Sequence, residues 1–246
     1  MKRAFVLAVL VACGSTTKPE PALENKPQPG SAAAATAPAR GLAFVVVDEN
    51  SDYMKRVFAR VGSARDGAPT DPDAIAAGIR GDIDQWTTND SGNRFIDYYL
   101  VASDRGAIER YLAKLAASDP LYRVPDDREL VFEKVNASWR SYYVFKKREI
   151  DHRAVENAVA DHDPRTGLPI VRLDFTPDAK RAFEDLTSRI VGKKLATLLD
   201  GNVHSAPIVM GTVRGGRISI RVGGSDVAAQ EAEAAALVKA LTPPVQ

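Results

Sequence analysis

A single cysteine among 246 residues excludes an intramolecular disulfide and any metal centre built on paired thiolates. Charge of either sign is not in excess. The 33 Lys and Arg against 32 Asp and Glu give a net +1, so no bulk field directs the chain to nucleic acid. Long apolar runs are missing too: after Cys13 nothing approaches the ~18 consecutive apolar residues of a membrane-spanning helix. No glycine-rich phosphate loop, nucleophile elbow or Cys/His pair occurs. A composition of 45% hydrophobic and 26% charged residues is that of a folded chain with one large domain or two small ones.

The lone cysteine stands in an informative place. Lys2 and Arg3 precede the apolar run Ala4–Ala12, too short for a hydrocarbon core that needs ~20 residues, so residues 1–12 read as a secretion signal. Leu10-Val11-Ala12-Cys13 resembles the lipobox of bacterial lipoproteins. The resemblance implies cleavage before Cys13 and acylation of its sulfur and new amino group, which anchors the chain to a bilayer. Gly14 in place of Asp after the cysteine favours the outer membrane by the same likeness. From Gly14 to Arg40 five prolines, an alanine run and one large apolar residue, Leu23, predict a disordered tether, so the lipidated cysteine and linker occupy 13–40.

Beyond residue 40 the pattern is α+β. Leu42–Val47 reads as a buried strand, Asp52–Arg60 as an amphipathic helix, and Asp71-Pro72 as the start of a second helical stretch through Ile79. Ile96–Val101 is expected as a strand, Ser103 as the cap of a helix to about Ala117, and Leu130–Val135 with Trp139–Phe145 as paired strands. Ile170–Phe175 alternates as a half-buried strand, Thr176-Pro177 opens a helix, and Asp200-Gly201 joins Leu195–Leu199 to Val203–Val209 in a hairpin. Ile218–Val222 is a further strand, and Ser225 caps a helix to Leu241. The expected architecture is two small sub-domains, 41–149 and 150–242. Each is an antiparallel or mixed sheet covered by helices on one face, with ferredoxin-like elements.

The residues from Val171 to Phe175, then Asp178–Phe183 with Leu186-Thr187, then Gly192–Ile208 carry a family likeness. That last run reads Gly-Lys-Lys-Leu-Ala, apolar residues, Asp-Gly, then Ser-Ala-Pro. It resembles the head of the first periplasmic domain of SecD, the accessory subunit of the bacterial Sec translocase. Weaker likeness at 48–57, 99–105 and 139–147 extends the resemblance to the region before it. Three departures stand out: Ile218–Val222 runs on without the family's glycine, the exit is Leu241-Thr242-Pro243-Pro244, and no spanning helix follows. Because SecD couples proton flow to translocation through membrane helices, the resemblance implies the binding part without the motor.

Other chemistry was weighed on its residues. Asp161-His162-Asp163 lacks a paired histidine at ligand spacing and reads as a solvated turn. Asp82, Asp84 and Asp90 fail the calcium-loop pattern, with Trp86 and Thr87 at the fifth and glycine positions. Trp86, Tyr98, Tyr99, Trp139, Tyr142 and Tyr143 are read first as core, and otherwise as exposed aromatics that grip unfolded peptide. No cofactor, metal, nucleic acid or small-molecule substrate is expected. The sequence therefore points to a non-enzymatic, lipid-anchored envelope protein facing the periplasm, which binds Sec components or exported polypeptide. The alternative is an envelope scaffold that kept the fold without the Sec connection. The residues singled out are Cys13 for lipidation, and Ser205, Ala206, Pro207, Arg214, Gly215, Gly216 and Arg217 for partner contact.

Overall fold

The computed structural model describes residues 41–62, 70–88, 92–223 and 226–242. The expected signal, Cys13, tether, Asp90, Ser225, Pro243 and Pro244 lie outside the described residues. In chain order the elements are β1 (Leu42–Val46), α1 (Asp52–Val61), α2 (Pro72–Ala76), β2 (Arg80–Thr87), β3 (Arg94–Ala102), α3 (Arg105–Ser118), β4 (Arg128–Val135), β5 (Ser138–Phe145), β6 (Ile150–Asp151), β7 (Val155–His162), β8 (Pro169–Phe175), α4 (Pro177–Arg189), β9 (Leu195–Leu199), β10 (Asn202–Ser205), β11 (Arg217–Arg221) and α5 (Val227–Leu241). The class is α+β.

Local chemistry sets most boundaries. Ser51 accepts from the Met54 N–H to cap α1, and Asp71 caps α2 with Pro72 in its first turn. Helix α2 stops at Ala76, earlier than expected, because Gly78 takes φ +65°. The cap of α3 is Asp104 and not Ser103: its carboxylate accepts from the Gly106 N–H at 2.9 Å. Thr176 and Pro177 open α4, and Asp226 caps α5. The hairpin turn between β9 and β10 carries Asp200 at φ +51° and Gly201 at +76°, the conformation that an Asp-Gly pair favours.

Three strands, β2, β7 and the two-residue β6, were missing from the sequence reading. In β2 the segment Arg-Gly-Asp-Ile-Asp-Gln-Trp-Thr holds acids at alternate positions, which imitates a polar loop until the acids find buried partners. In β7 small alanines and exposed polar residues hide the alternation.

Eight strands form one sheet in the order β2-β3-β5-β4-β10-β9-β1-β6, and three form another, β11-β8-β7. The β9–β10 hairpin, expected beside β8 and β11, joins the larger sheet instead, pairing β9 with β1 and β10 in parallel with β4. A bridge from Val47 to Val144 and the bond from the Asp48 N–H to the Tyr143 carbonyl tie β1 back to β5. The run β5-β4-β10-β9-β1 is thereby closed into a ring. Its interior is filled by Ala43, Val45, Val47, Val131, Tyr142, Val144, Ala196, Leu198 and Val203, all buried. Small and β-branched side chains suit so narrow a barrel, and ring closure explains how this face is buried with no helix over it.

The outer face has two helical covers. Helices α1, α2 and α3 pack on β3 and β5 around Met54, Val57, Leu100, Ile108 and Phe132. Helices α4 and α5 cover the buried face of the smaller sheet and share one core with β1 and β9 around Phe44, Phe175, Phe183 and Leu237. Phe44, Phe175 and Phe183 meet edge to face with ring centres 5.1–5.9 Å apart. Among the described residues no helix is long and apolar enough to cross a membrane.

Candidate functional site

At one end of the ring, where β1 ends and β9 begins, the β2–β3 hairpin folds over the barrel mouth. Within this hairpin Thr88 donates to the Asn93 carbonyl at 3.0 Å, which fixes the even residues of β2 as those bonded to β3. Asp82, Asp84 and Trp86 consequently share a face with Tyr99, Asp97 and Phe95. Strand β3 pairs with β5 only at Val101 and Ala102. Over its first half Asn50 replaces the missing strand: its N–H donates to the Ile96 carbonyl at 2.8 Å, its Oδ1 accepts from the Ile96 N–H at 2.9 Å, and its Nδ2 donates to the Arg94 carbonyl at 3.2 Å. Asn50 sits at φ +60°, a conformation that Asn tolerates better than most residues.

The gap between hairpin and barrel holds a buried ionic cluster. The Lys194 ammonium lies 2.6 Å from Asp97 and 3.0 Å from Asp84, and the Arg140 guanidinium bonds the same carboxylates at 2.8 and 2.7 Å. Side-chain exposure is 7% for Lys194 and 3% for Asp97. Arg140 also stacks over Tyr99 at 3.7 Å and Tyr142 at 4.5 Å, while Lys194 faces Trp86 and Tyr142. Burial opposes ionisation of Asp84, but Arg140 and Lys194 outweigh it and hold its carboxyl below the usual range. Burial likewise opposes the charge on Arg140, and Tyr142, Asp97 and Asp84 raise its pKa above the ordinary value.

Glu49 completes the mouth. Its Oε1 accepts the Lys194 N–H, while its Oε2 is buried without a partner among the described residues. Burial pushes its carboxyl up to about 7, against the lowering effect of the Lys194 N–H.

The hairpin is pinned to the β9 side by the Trp86 indole, which donates to the Gly192 carbonyl at 2.7 Å. Gly192 and Lys193 both oppose Val209, through the Gly192 N–H to Val209 carbonyl and Val209 N–H to Lys193 carbonyl bonds. This is a bulge with a glycine at its first position, at φ +88°. A Cβ there would lie 2.5 Å from the Thr88 methyl, so no side chain fits without displacement. Flanking the bulge in the chain, Val191 is 42% and Met210 66% exposed, and the stacked Trp86 and Phe95 rings lie against Gly192. The result is an apolar corner on the seam between hairpin and barrel.

The structure places the sequence-selected residues nearby but apart. Ser205 ends β10, Ala206 packs on the barrel interior, and the Pro207 carbonyl accepts from the Leu195 N–H at 3.0 Å. Gly215 and Gly216 make a positive-φ tip, at +85° and +61°, before β11. Arg214 is paired with Glu184 and Arg217 with Asp174. Of the aromatics, Tyr99, Tyr142 and Tyr143 are buried, whereas Trp86, Tyr98 and Trp139 are partly exposed. His162 lies 3.7 Å from Glu231, and among the described residues no group of three or more His, Cys, Asp or Glu side chains could hold a metal ion. The sequence reading missed Glu49, Asp97 and Arg140, and weighed Asp84 only against a calcium-loop pattern that it fails. The available signal was the alternation of Asp82, Asp84 and Trp86 at strand spacing.

Comparison with known proteins places the second half. The SecDF P1 head subdomain family matches residues 128–241, from β4 to the end of α5. That segment is similar to the SecD family. The SecD subunit of Endomicrobium trichonymphae is 31% identical over 134 residues, covering 54% of this chain and 27% of that protein. The SecDF subunit of Thermus thermophilus is 43% identical over 72 residues, covering 29% of this chain and 9% of that protein. A solved structure titled as a membrane component SecDF that enhances protein export is 19% identical, covering 83% of this chain and 95% of that chain with a TM-score of 0.36. The chain thus spans about a quarter or less of the length of these curated relatives. The SecD-type segment starts upstream of residue 150 and supplies Arg140 and Lys194, while Glu49, Asp84 and Asp97 come from the region before it.

Proposed function

We propose that this protein is a lipid-anchored envelope component whose SecD-like domain binds polypeptide or translocase partners during protein export, without a covalent step. The observation that carries the reading is the exposed apolar corner where Val191 and Met210, on the SecD-type segment, meet the hairpin that carries the Trp86–Phe95 stack. Apolar side chains left in water at a structural seam are suited to contact a partner that itself exposes apolar groups. The curated SecD relatives are named as protein translocase subunits, which supports export as the setting. Ser205, Ala206, Pro207 and the tip Arg214–Arg217 extend the proposed contact surface.

Two cavities among the described residues favour binding over catalysis. Both are shallow and open, one of about 410 Å³ lined by Asp73, Asp104, Arg110 and Lys114, the other of about 350 Å³ lined by Gln85, Trp86, Thr87 and Arg94. In the first, Asp73 pairs with Lys114 and Asp104 with Arg110. The domain division at residue 150 and the lipid anchor at Cys13 belong to the same proposal. Fluorescence anisotropy with reduced, carboxymethylated α-lactalbumin, a permanently unfolded chain, tests the binding role. Saturable binding that Met210→Asp weakens is the expected result, and no binding to unfolded chains would refute the polypeptide reading.

A further inference from the structure

Strand β2 ends the eight-stranded sheet, and among the described residues no strand lies beyond it. Because its even residues bond to β3, the N–H and C=O groups of Gly81, Ile83, Gln85 and Thr87 point outward. The first two outward donors are used: Gly81 donates to the Gly62 carbonyl at 3.1 Å, and Ile83 to the Asp82 carboxylate at 2.9 Å. Beyond them the N–H groups of Gln85 and Thr87 have no acceptor among the described residues, and the backbone there runs along the shallow concavity of Gln85, Trp86, Thr87 and Arg94. A native sheet edge is usually blunted along its length, and here the blunting stops halfway.

The charge beside this open half is specific. Arg94 is exposed, and among the described residues its guanidinium has only the neutral Gln85 Oε1 as a partner, at 2.7 Å. It is left to receive a carboxylate. The other long edge, β7, differs: Glu156 and Asp161 flank it, and Asp161 bonds the His162 N–H. Those carboxylates are themselves paired, Glu156 with Lys180 and Asp161 with Arg172, so the cations beside that edge are already engaged.

We propose that the outer half of β2, from Ile83 to Thr87, is a docking edge for an extended, acidic segment of a partner polypeptide. The segment pairs with the Gln85 and Thr87 backbone as a further strand, sets a carboxylate against Arg94, and lays an apolar side chain on Trp86. Main-chain pairing supplies affinity for any extended chain, and the side-chain contacts supply preference. This deepens the polypeptide-binding reading and rests on it.

The test uses the purified chain and a short labelled peptide alternating Glu with Val, beside two controls: the same peptide N-methylated at alternate residues, and one with Lys for Glu. N-methylation removes the peptide's donors while keeping its side chains. Loss of affinity by about tenfold or more is expected for both controls, and also for Thr87→Pro, which deletes an outward N–H without touching the β2–β3 ladder. Arg94→Glu should invert the preference between the Glu and Lys peptides. If Thr87→Pro fails to fold, hydrogen exchange in the wild-type chain decides: slowing at Gln85 and Thr87 on adding the peptide supports the edge, and unchanged exchange overturns it. Equal binding of the N-methylated peptide overturns the edge as well. Should carboxymethylated α-lactalbumin still bind in that case, the polypeptide-binding reading survives; if neither probe binds, both fall.

Discussion

Replacing Lys194 by Met removes one cation from the ionic cluster while keeping the length of the side chain. In the native protein the ammonium lies 2.6 Å from Asp97 and 3.0 Å from Asp84. At an effective dielectric near 20, each such contact attracts by about 6 kcal/mol, and desolvation offsets several kcal/mol per ion. The net worth of the cluster is therefore small, but the cost of halving it is not. Removing one partner of a buried pair costs roughly 3–5 kcal/mol, because the remaining charge stays buried. Arg140 still bonds both carboxylates here, so the lower end, about 3 kcal/mol, is expected for Lys194→Met. Urea unfolding followed by circular dichroism reads this directly, and at about 2–4 °C per kcal/mol the melting temperature should fall by roughly 6–12 °C. Adding Asp97→Asn to Lys194→Met should recover part of the loss, because the surplus negative charge goes with it. A single variant within about 1 kcal/mol of wild type would refute the reasoning, since it would mean the carboxylates are solvated at little cost.

Two further outcomes follow from the same geometry, and a third from the sequence around Cys13. Glu49 has a folded pKa of about 7 against an ordinary value of 4.5, so the folded state holds its proton more tightly. Its stabilising contribution is complete below about 4.5, falls as pH rises, and is gone above about 7. Unfolding measured from pH 4.5 to 8 should therefore show wild type losing stability relative to Glu49→Gln, and parallel profiles would contradict this. Gly192→Ala forces a Cβ against Thr88 at φ +88° and should destabilise by about 1–3 kcal/mol in the same urea assay. Cys13→Ser should move the protein from the membrane to the soluble fraction of lysed cells, and retention on the membrane would sink the lipoprotein reading.

What could be read from the sequence follows a physical divide. Helix α4 was legible because Ala179, Phe183, Leu186 and Ile190 give one apolar stripe behind a Thr-Pro start, and the β9–β10 turn because Asp-Gly suits positive φ. Those signals are local. Strand β2 was not legible, since Asp82 and Asp84 look like loop residues unless their distant partners are known. The bond from Lys194 to Asp84 spans 110 residues and that from Lys194 to Asp97 spans 97, separations that no periodicity records. Ring closure was hidden for the same reason: a hairpin beside β8 in sequence finds its partners in β1 and β4. The apolar corner is visible only once Gly192, Met210 and Trp86 are brought together. The lipidation expected at Cys13 rests on its neighbours in the chain alone and lies outside the described residues.

Site-specific photocrosslinking in living cells, with the probe at Met210, tests the central claim most directly. The account predicts crosslinks to many nascent exported chains or to translocase components, lost when secretion is blocked. One constant partner unrelated to export, unchanged by that block, would contradict it.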